Sequence, residues 1–244
     1  MAVSLRYWAI IPAAGTSQRM KAAVPKQYLR LGDDAGENFT ILEASLSCFL
    51  RHPKIAGVVV ALHVDDQHWT NLAVTRNEKI QTVIGGKSRA ESVYNAIKYL
   101  DKTSAEDEDF VLVHDAARPC LRYTDLDLLI QQLEQDDVGG ILASPVSDTL
   151  KIVEKLVNSN TTVSHTLDRV NIWRALTPQM FRLRVLKKAL KHCVKQNIAV
   201  TDEASTVEAL GLQVKVVAGH ADNIKVTHTE DLEIATAIFK KNNQ

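Results

Sequence analysis

The sequence predicts an α/β protein with one mostly parallel sheet, helices on both faces of that sheet and a β-hairpin arm that projects from it. Apolar runs of strand length alternate along the chain with segments in which apolar residues recur every three or four positions, and this pattern is typical of a parallel sheet covered by helices. One polar, β-rich stretch interrupts the alternation, which favours a hairpin outside the main sheet.

The predicted strands are the short apolar runs, because their length suits a buried strand better than a helix. They are Trp8 to Ile11, Val58 to Leu62, Ile80 to Ile84, Phe110 to Val113, Gly140 to Pro145 and Val214 to Val217. With helices between them, these strands predict a Rossmann-like sheet, in which ligands bind outside the carboxyl ends of the strands.

The predicted helices are recognised by apolar stripes at helical spacing. The stripes are Leu42, Leu46 and Phe49; Val93, Ile97 and Leu100; and Leu126, Leu129, Ile130 and Leu133, followed by a helix from about Leu183 to Lys195 and a last one after Thr229. Thr124, with Asp127 three residues later, predicts a capping box at the start of the third helix.

The arm is predicted from Asp148 to Arg169, where two β-rich runs, Leu150 to Val153 and Thr161 to Val163, flank a polar Asn-Ser-Asn segment. A two-stranded hairpin is marginal alone in water, so we expect it to pack on a second subunit and form a homodimer. Residues 1–244 are therefore predicted to form a single domain, with a dimerisation arm inserted at about 148–169.

The composition excludes several classes of function. Lys+Arg and Asp+Glu both number 29 in 244 residues, so no net charge draws the chain to nucleic acid or to a membrane surface. No apolar run approaches the roughly 20 residues of a membrane span, and the N-terminal apolar run is too short for a signal peptide. Cys48, Cys120 and Cys193 form no C-x-x-C pair, which argues against a disulfide framework and favours the cytoplasm.

The loop after the first predicted strand contains the small residues Ala13, Ala14 and Gly15, and the cations Arg19 and Lys26 follow. Small residues there let backbone N–H groups approach a phosphate chain. The spacing is that of neither a dinucleotide-binding loop nor a Walker loop. On these residues alone, a tight turn with two solvated cations is an equally good explanation.

A Gly85-Gly86-Lys87-Ser88 segment links a predicted strand to a predicted helix. The glycine pair permits the backbone to approach a flat base closely. Taken by itself, an ordinary glycine turn with Ser88 as the helix N-cap is the simpler explanation. The pattern gives Lys87 no role.

Asp115 follows the predicted strand Phe110 to Val113, at a sheet edge where a hard cation holding phosphate oxygens would be useful. A surface ion pair between Asp115 and Arg118 is the simpler explanation without further information. His114, beside the sheet, is interpreted as a structural residue rather than a base.

Asp222 and Lys225 mark another predicted strand end. Positions three apart in an extended chain point to opposite faces, so these two side chains share a site only if the backbone turns near Asn223. The motif therefore predicts an irregular strand, and its alternative is a solvated charge pair.

Ala-Ala-Gly, Arg19 and Pro25-Lys26 at this spacing resemble the signature of sugar-phosphate nucleotidyltransferases. Across nearly the whole chain, and in order, VHDAARP, T-P-Q, TDEAS and ADNIKVT resemble the methylerythritol phosphate cytidylyltransferase family. The sequence departs from that family mainly by a few extra residues in Gly32 to Phe39, a polar loop in which an insertion costs little.

The resemblance implies a role for each residue of these motifs. It implies a catalytic role for Arg19, Lys26 and Lys225. It implies nucleotide contacts for Ala13, Ala14, Gly15, Gly86, Ser92, Asp115 and Ala116, with Gly86 and Ser92 at the cytosine. It implies substrate contacts for Arg118, Thr149, Arg169, Thr177 and Asp222, and a Mg²⁺ ion held by Asp115 and Asp222.

The implied reaction joins CTP to methylerythritol phosphate and releases pyrophosphate. A phosphate monoester is already an anion, so the site must align two anions and surround them with cations rather than supply a strong base. A ribitol 5-phosphate cytidylyltransferase is one alternative, against which Arg169 and Thr177 favour methylerythritol phosphate. A non-catalytic nucleotide-binding module is another, but binding alone would not require both carboxylates and every cation.

Overall fold

The computed structural model of the chain describes residues 5–15, 24–32, 39–155 and 161–242. Arg19, which the resemblance makes a catalytic residue, lies outside these ranges, as do residues 33–38 of the extra loop. All structural statements below concern the described residues.

The main sheet is mostly parallel, as predicted. The strands are β1 (Tyr7–Pro12), β2 (Arg30–Leu31), β3 (Phe39–Thr40), β4 (Ile55–Leu62), β5 (Ile80–Ile84), β6 (Phe110–Val113), β7 (Gly139–Pro145), β8 (Leu150–Lys155), β9 (Thr161–Leu167), β10 (Trp173–Arg182) and β11 (Lys215–Ala218). In the described part of the chain, seven of them form one sheet in the order β11-β7-β10-β6-β1-β4-β5. Only β10 runs antiparallel to its neighbours in that sheet.

Helices cover both faces of the sheet, which confirms the predicted layers. They are α1 (Ile41–Arg51), α2 (Arg89–Leu100), α3 (Tyr123–Leu133), α4 (Leu183–Gln196), α5 (Glu203–Glu208) and α6 (Thr229–Asn242). Successive residues of β1 point to opposite faces: Ile11 packs in the core formed with α1 and α3, and Ile10 packs in the core formed with α2, α4 and α5. Both side chains are fully buried, and each such burial contributes about 1.5–3 kcal/mol.

A third apolar cluster fixes the segment after β11. It joins α6 and the short β2–β3 pair, and it contains Leu31, Ile41, Ala235 and the fully buried Val226. Val226 therefore anchors the loop that carries Asp222 and Lys225 against the body of the protein.

Strand β10 is the element that the sequence patterns miss. Residues 173–179 resemble polar surface flanking the arm, and Pro178 removes a ladder hydrogen bond, which usually argues against a central strand. The register with β7 is irregular between Ala175 and Gln179, so Pro178 lies where the ladder is already interrupted. Thr177 and Gln179 are buried rather than at the surface.

The capping box predicted at Thr124 and Asp127 is wrong. Helix α3 begins at Tyr123 with Arg122 as its N-cap residue, and no side chain caps it. The Arg122 carbonyl accepts hydrogen bonds from the backbone N–H groups of Asp125 and Leu126, both at 3.2 Å, so helical bonding starts before Thr124. The predicted strand Val214 to Val217 lies one residue further along the chain, as β11.

The predicted hairpin arm is confirmed. β8 and β9 pair antiparallel in a two-stranded sheet of their own, and both strands extend beyond the runs recognised in the sequence. The apolar side chains Ile152, Val153 and Val163 are 40, 50 and 58% exposed. Among the described helices, none is both long and apolar enough to span a membrane.

Candidate active site

A cleft of about 570 Å³ opens where the carboxyl ends of β1, β4, β5 and β6 meet. This is the edge at which open α/β sheets bind ligands. The segment after each of these strands contributes to its wall, together with the turn at residues 26–27 and the loop after β11. The lining residues are Pro12, Ala13, Ala14, Gly15, Lys26, Gln27, His63, Gly86, Lys87, Ser88, Arg89, Ser92, Asp115, Ala116, Ala117, Lys225 and Thr227.

The small-residue loop after β1 is held open by Gln27. Its side-chain amide donates to the Ala13 carbonyl at 2.8 Å and to the Gly15 carbonyl at 3.3 Å. A Cβ atom at Gly15 would meet no atom of the described residues within 4 Å. Lys26 lines the same part of the cleft and donates through Nζ to the Val226 carbonyl at 2.9 Å.

The glycine pair after β5 leads into a helix that Ser88 caps, as the simpler sequence interpretation predicts. Ser88 caps α2 by accepting a hydrogen bond from the Glu91 N–H at 3.1 Å. Ser92, one turn later, accepts from the Gly86 N–H at 3.0 Å and donates to the Ser88 carbonyl at 2.9 Å. A Cβ atom at Gly85 would lie 2.5 Å from the Ala14 Cβ, so this close approach of two loops requires glycine.

Asp115 lies among three cations. Its Oδ1 accepts from Arg89 Nε at 3.0 Å, and its Oδ2 lies 2.9 Å from Lys225 Nζ and 3.4 Å from Arg118 Nε. Burial alone would raise the pKa of Asp115, but the charges of Arg89, Lys225 and Arg118 outweigh it and hold the pKa well below its usual range. Asp115 is therefore an anion at neutral pH, and the surrounding cations remain in excess over it.

Arg89 is a site residue that the sequence patterns miss. Its guanidinium bridges Asp115 and Glu203, with Nη1 2.6 Å from Glu203 Oε1. Glu203 is buried, and this burial raises its pKa against the opposing charge of Arg89. The available signals were the place of Arg89 at the first position of α2 and an acidic residue in the TDEAS motif, but only the fold brings the two together.

His114 is a structural residue, as predicted, and it fixes the hydroxyl of Thr177. Its Nε2 lies 3.0 Å from the Arg118 carbonyl and its Nδ1 lies 2.9 Å from Thr177 Oγ1. The carbonyl can only accept, so Nε2 donates, and Nδ1 accepts from the hydroxyl. Thr177 Oγ1 in turn accepts from the Asp115 N–H at 3.1 Å. Burial lowers the pKa of His114 to about 4, which keeps the ring neutral.

The segment predicted as an irregular strand at Asp222 to Lys225 is a loop. The chain turns at Asn223, as the motif required, because the Ile224 N–H donates to the Asp222 carbonyl at 2.7 Å. The turn directs the two side chains to different partners: Lys225 contacts Asp115 and lines the cleft, whereas Asp222 pairs with Arg122. Asp222 does not line the cleft.

The remaining predicted residues divide into two groups. Arg118 lies behind Asp115 and donates to the Asn223 carbonyl at 2.6 Å. Thr149 and Arg169 lie at the base of the arm, where both are exposed and Arg169 donates to the Ser147 carbonyl. The structure thus brings together Ala13, Ala14, Gly15, Lys26, Gly86, Ser92, Asp115, Ala116 and Lys225 in one cleft, but not Thr149, Arg169 or Asp222.

The comparisons with known proteins agree with this geometry. The sequence model of the family described as 2-C-methyl-D-erythritol 4-phosphate cytidylyltransferase matches residues 7–241. The chain belongs to this family. A protein of that name from Pseudomonas putida (strain W619) is 51% identical over 227 residues, which cover 93% of each chain.

Solved structures of cytidylyltransferases in this family have the same fold. A crystal structure described as 4-diphosphocytidyl-2C-methyl-D-erythritol synthase superposes with a TM-score of 0.80 and is 36% identical, covering 97% of this chain and 99% of that one. The Francisella tularensis 2-C-methyl-D-erythritol 4-phosphate cytidylyltransferase superposes with a TM-score of 0.79 and is 38% identical, covering 96% and 99%.

Gln179 connects two of the motifs that resemble the cytidylyltransferase family. Its Nε2 donates to Asp202 Oδ2 at 2.9 Å, and its Oε1 accepts from the Ala204 N–H at 2.8 Å. The T-P-Q motif of β10 therefore holds the start of α5, where TDEAS lies. Because Glu203 is between these two contacts in sequence, this connection positions the carboxylate that pairs with Arg89.

Proposed function

We propose that the chain transfers the cytidylyl group of CTP to the phosphate of 2-C-methyl-D-erythritol 4-phosphate, as a step of isoprenoid precursor synthesis. The products are 4-diphosphocytidyl-2-C-methyl-D-erythritol and pyrophosphate. The observation that carries the proposal is the set of cations, Lys26, Arg89 and Lys225, that faces one cleft around the ionised Asp115, in a chain of the cytidylyltransferase family.

The nucleotide occupies the side of the cleft formed by β1 and β5. We assign the cytosine to the Gly86 and Ser92 pair, which lines the cleft and is joined by a hydrogen bond of 3.0 Å. The triphosphate lies along Ala13 to Gly15, where backbone N–H groups can approach phosphate oxygens. Lys26, Lys87 and Lys225 surround this position, and Arg19 is predicted to join them.

The reaction requires alignment and charge neutralisation. A phosphate oxygen of the acceptor attacks the α-phosphorus of CTP, a new P–O bond forms, and the bond to the bridging oxygen breaks, so that pyrophosphate leaves with the electron pair. Both reactants are anions and need no general base. Lys225, 2.9 Å from Asp115, and Lys26 are placed to stabilise charge that develops around the α-phosphorus.

We also propose that Mg²⁺ takes part. The donor set fits, since Mg²⁺ is usually held by one or two carboxylates together with substrate phosphates and water, and Asp115 supplies a carboxylate in the cleft. No group of three or more metal-binding side chains occurs among the described residues, so the phosphates must complete the shell. When bound, the ion would neutralise phosphate charge; Asp222 would join Asp115 only after leaving Arg122.

The residues proposed for the acceptor include two that lie outside the cleft, at the base of the arm. Arg169 and Thr149 are exposed beside it, and the arm presents apolar side chains to solvent. We propose that the arm crosses to a second copy of the chain, in a cytoplasmic homodimer, and that Arg169, Thr149 and Thr177 hold the acceptor. Three free, buried cysteines are consistent with a reducing compartment.

The decisive experiment measures pyrophosphate release with Mg²⁺ for each pairing of CTP, UTP or ATP with methylerythritol phosphate or ribitol 5-phosphate. We expect CTP with methylerythritol phosphate to be far faster than any other pair, because the base pocket and the arm each select one reactant. Faster turnover of ribitol 5-phosphate would reassign the acceptor. Nucleotide binding without pyrophosphate from any pair would instead identify a binding module.

A further inference from the structure

A second cavity, of about 640 Å³, lies outside the active-site cleft and shares no lining residue with it. It is bounded by α1, the loop from β6 to α3, and the end of α6. Its lining residues are Ser47, Cys48, Arg51, Pro119, Cys120, Leu121, Arg122, Tyr123, Thr124, Phe239 and Asn242. Its volume falls within the range of small-molecule sites, which is about 300–1,000 Å³.

The charged side chains that line this cavity are both positive. They are Arg51 and Arg122, and no aspartate or glutamate is among the lining residues. Within the described residues Arg51 takes part in no ion pair with a carboxylate; its Nε donates to the Ser47 carbonyl at 3.3 Å. Arg122 pairs with Asp222, which is not a lining residue, so the charge of Arg51 is the one that no carboxylate of the described residues neutralises.

The start of α3 adds to this positive potential. Arg122, Tyr123 and Thr124 line the cavity and form the first residues of an 11-residue helix that no side chain caps. The N-terminal end of a helix favours phosphate and carboxylate groups. Two guanidinium groups and a helix end at one solvent-open cavity are independent features, and they favour the same class of ligand.

The rest of the wall is neutral. Burial raises the pKa of Cys120 to about 12 and also raises the pKa of Cys48, so neither thiol carries a charge that would repel an anion. Leu121 and Phe239 supply apolar surface. A ligand with an anionic group and a short apolar body thus matches the wall better than an inorganic ion.

Arg122 also connects this cavity to the loop after β11. Its Nη2 pairs with Asp222 Oδ2, while Arg122 Nε and Asp222 Oδ1 are both buried with no hydrogen-bond partner among the described residues. This single-point pairing leaves one donor and one acceptor of the described residues unsatisfied, which is unfavourable for buried polar atoms. An anion in the cavity would offer Arg122 a competing partner.

We propose that this cavity is a binding site for a small organic phosphate with a short apolar body, held by Arg51, Arg122 and the start of α3. Binding draws Arg122 away from Asp222, so ligand and Asp222 compete for one guanidinium. The site is separate from the CTP cleft, and its occupancy is linked to the state of the loop that carries Asp222 and Lys225.

The test is calorimetric titration of the protein with phenyl phosphate at low ionic strength, with the CTP cleft saturated by CTP and Mg²⁺. The variant Arg51→Gln removes a cation of the cavity and leaves the cleft intact. Arg76→Gln, an exposed arginine that lines neither cavity, is the matched control. Inorganic phosphate and phenol test the two halves of the ligand separately, and thermal melting verifies that each variant is folded.

We expect phenyl phosphate to bind the wild type and the Arg76→Gln control equally, and Arg51→Gln at least about tenfold more weakly, since a lost hydrogen bond to a charged group has an effect of this size. Phosphate alone should bind more weakly, and phenol should not bind. No saturable binding, or equal binding by Arg51→Gln and the control, would overturn the site.

The linkage to Asp222 has its own measurement, which does not depend on turnover. This titration is done with CTP but without Mg²⁺, so that no metal draws Asp222 away from Arg122. If ligand and Asp222 compete for Arg122, Asp222→Asn should then bind phenyl phosphate severalfold more tightly than the wild type, because Arg122 no longer has a charged partner to leave. Unchanged or weaker binding by Asp222→Asn would reject the competition. Because both measurements are of binding, they stay informative even if the proposed reaction were wrong.

Discussion

The nucleotide side and the acceptor side of this site differ in how the chain supplies their residues. On the nucleotide side, four neighbouring strands end at one edge, and the segment after each strand contributes residues to the same cleft. On the acceptor side, Thr149 and Arg169 lie beside a hairpin whose two strands, in the described part of the chain, pair with each other alone. The cleft is thus assembled by the sheet of a single chain, whereas two residues proposed to hold the acceptor lie outside it, at the base of the arm.

The difference also appears in the electrostatics. Asp115 is buried and its charge is balanced by three cations within 3.4 Å, whereas Arg169 is exposed and donates to a backbone carbonyl. A preorganised charge cluster lowers the cost of reaction because it does not rearrange during the reaction. The guanidinium of an exposed arginine on an arm instead remains available to bind another group. Substitutions on the two sides should therefore affect activity and stability in different ways.

The largest effect is expected for Lys225→Ala on the nucleotide side. Removing a preorganised cation near the α-phosphorus should lower kcat by about 10²–10³-fold. Thermal stability should change little, because Arg89 and Arg118 still pair with the buried Asp115 when Lys225 is removed. Lys195→Ala, an exposed lysine at the end of α4, is the control for loss of charge alone. A kcat within tenfold of wild type would remove Lys225 from the chemistry.

Asp222→Asn tests whether the loop reaches the metal. If Asp222 helps to hold Mg²⁺, kcat at limiting Mg²⁺ should fall by roughly 10²-fold, and more Mg²⁺ should be needed for half-maximal rate. The apo protein should melt near the wild-type temperature, because the Arg122 pair is partly exposed. A normal Mg²⁺ profile would contradict the metal role, and a loss of several kcal/mol of stability would identify a structural ion pair.

The predictable part of the fold is the part with local signals. β5 and β6 occur at the predicted residues because an apolar run between polar turns defines a buried strand without any partner. Lys26 and Asp115 reach the same cleft because parallel strands end at one edge. β10 was missed because Pro178 removes a ladder donor, and only the interrupted register with β7 makes the proline acceptable.

The parts of the site that were not predicted depend on contacts between distant segments. Arg89 and Glu203 are 114 positions apart, and no pattern around either residue indicates the other. Asp222 and Lys225 are close in sequence, yet the turn at Asn223 directs them to different partners. Periodicity and motif spacing describe one element at a time, so pairings made by tertiary packing escape them.

Mixed dimers test the acceptor side. Arg169→Ala and Lys26→Ala subunits should each be inactive alone, since one lacks an acceptor contact and the other a triphosphate contact. If the arm crosses between subunits, random mixing should restore about a quarter of wild-type activity, because half of the dimers are mixed and each has one intact site. No recovery, with subunit exchange verified by mass spectrometry, would place Arg169 in its own subunit's site.

His114→Asn is expected to have the smallest effect on activity among these variants and a clear effect on stability. The pKa of His114 is about 4 in the folded protein and 6.5 is its ordinary value. Between these values the unfolded chain binds the extra proton, so stability falls as pH decreases from 6.5 to 4, by about 3 kcal/mol from this group. At pH 7 the ring is neutral, so protonation of His114 does not lower the free energy of unfolding.

His114→Asn keeps an acceptor for the Thr177 hydroxyl but removes the donor to the Arg118 carbonyl. We expect the free energy of unfolding of the variant to be lower by about 1–3 kcal/mol at pH 7. Its further decrease between pH 7 and pH 4.5 should be smaller than in the wild type, because asparagine does not titrate. Urea unfolding of both proteins at pH 7 and pH 4.5 gives the difference. His165→Asn on the exposed arm should keep the wild-type dependence. If His114→Asn lost as much stability between pH 7 and pH 4.5 as the wild type, the neutral, doubly hydrogen-bonded ring would not be the group that titrates. The argument that this ring fixes the orientation of the Thr177 hydroxyl would then fail.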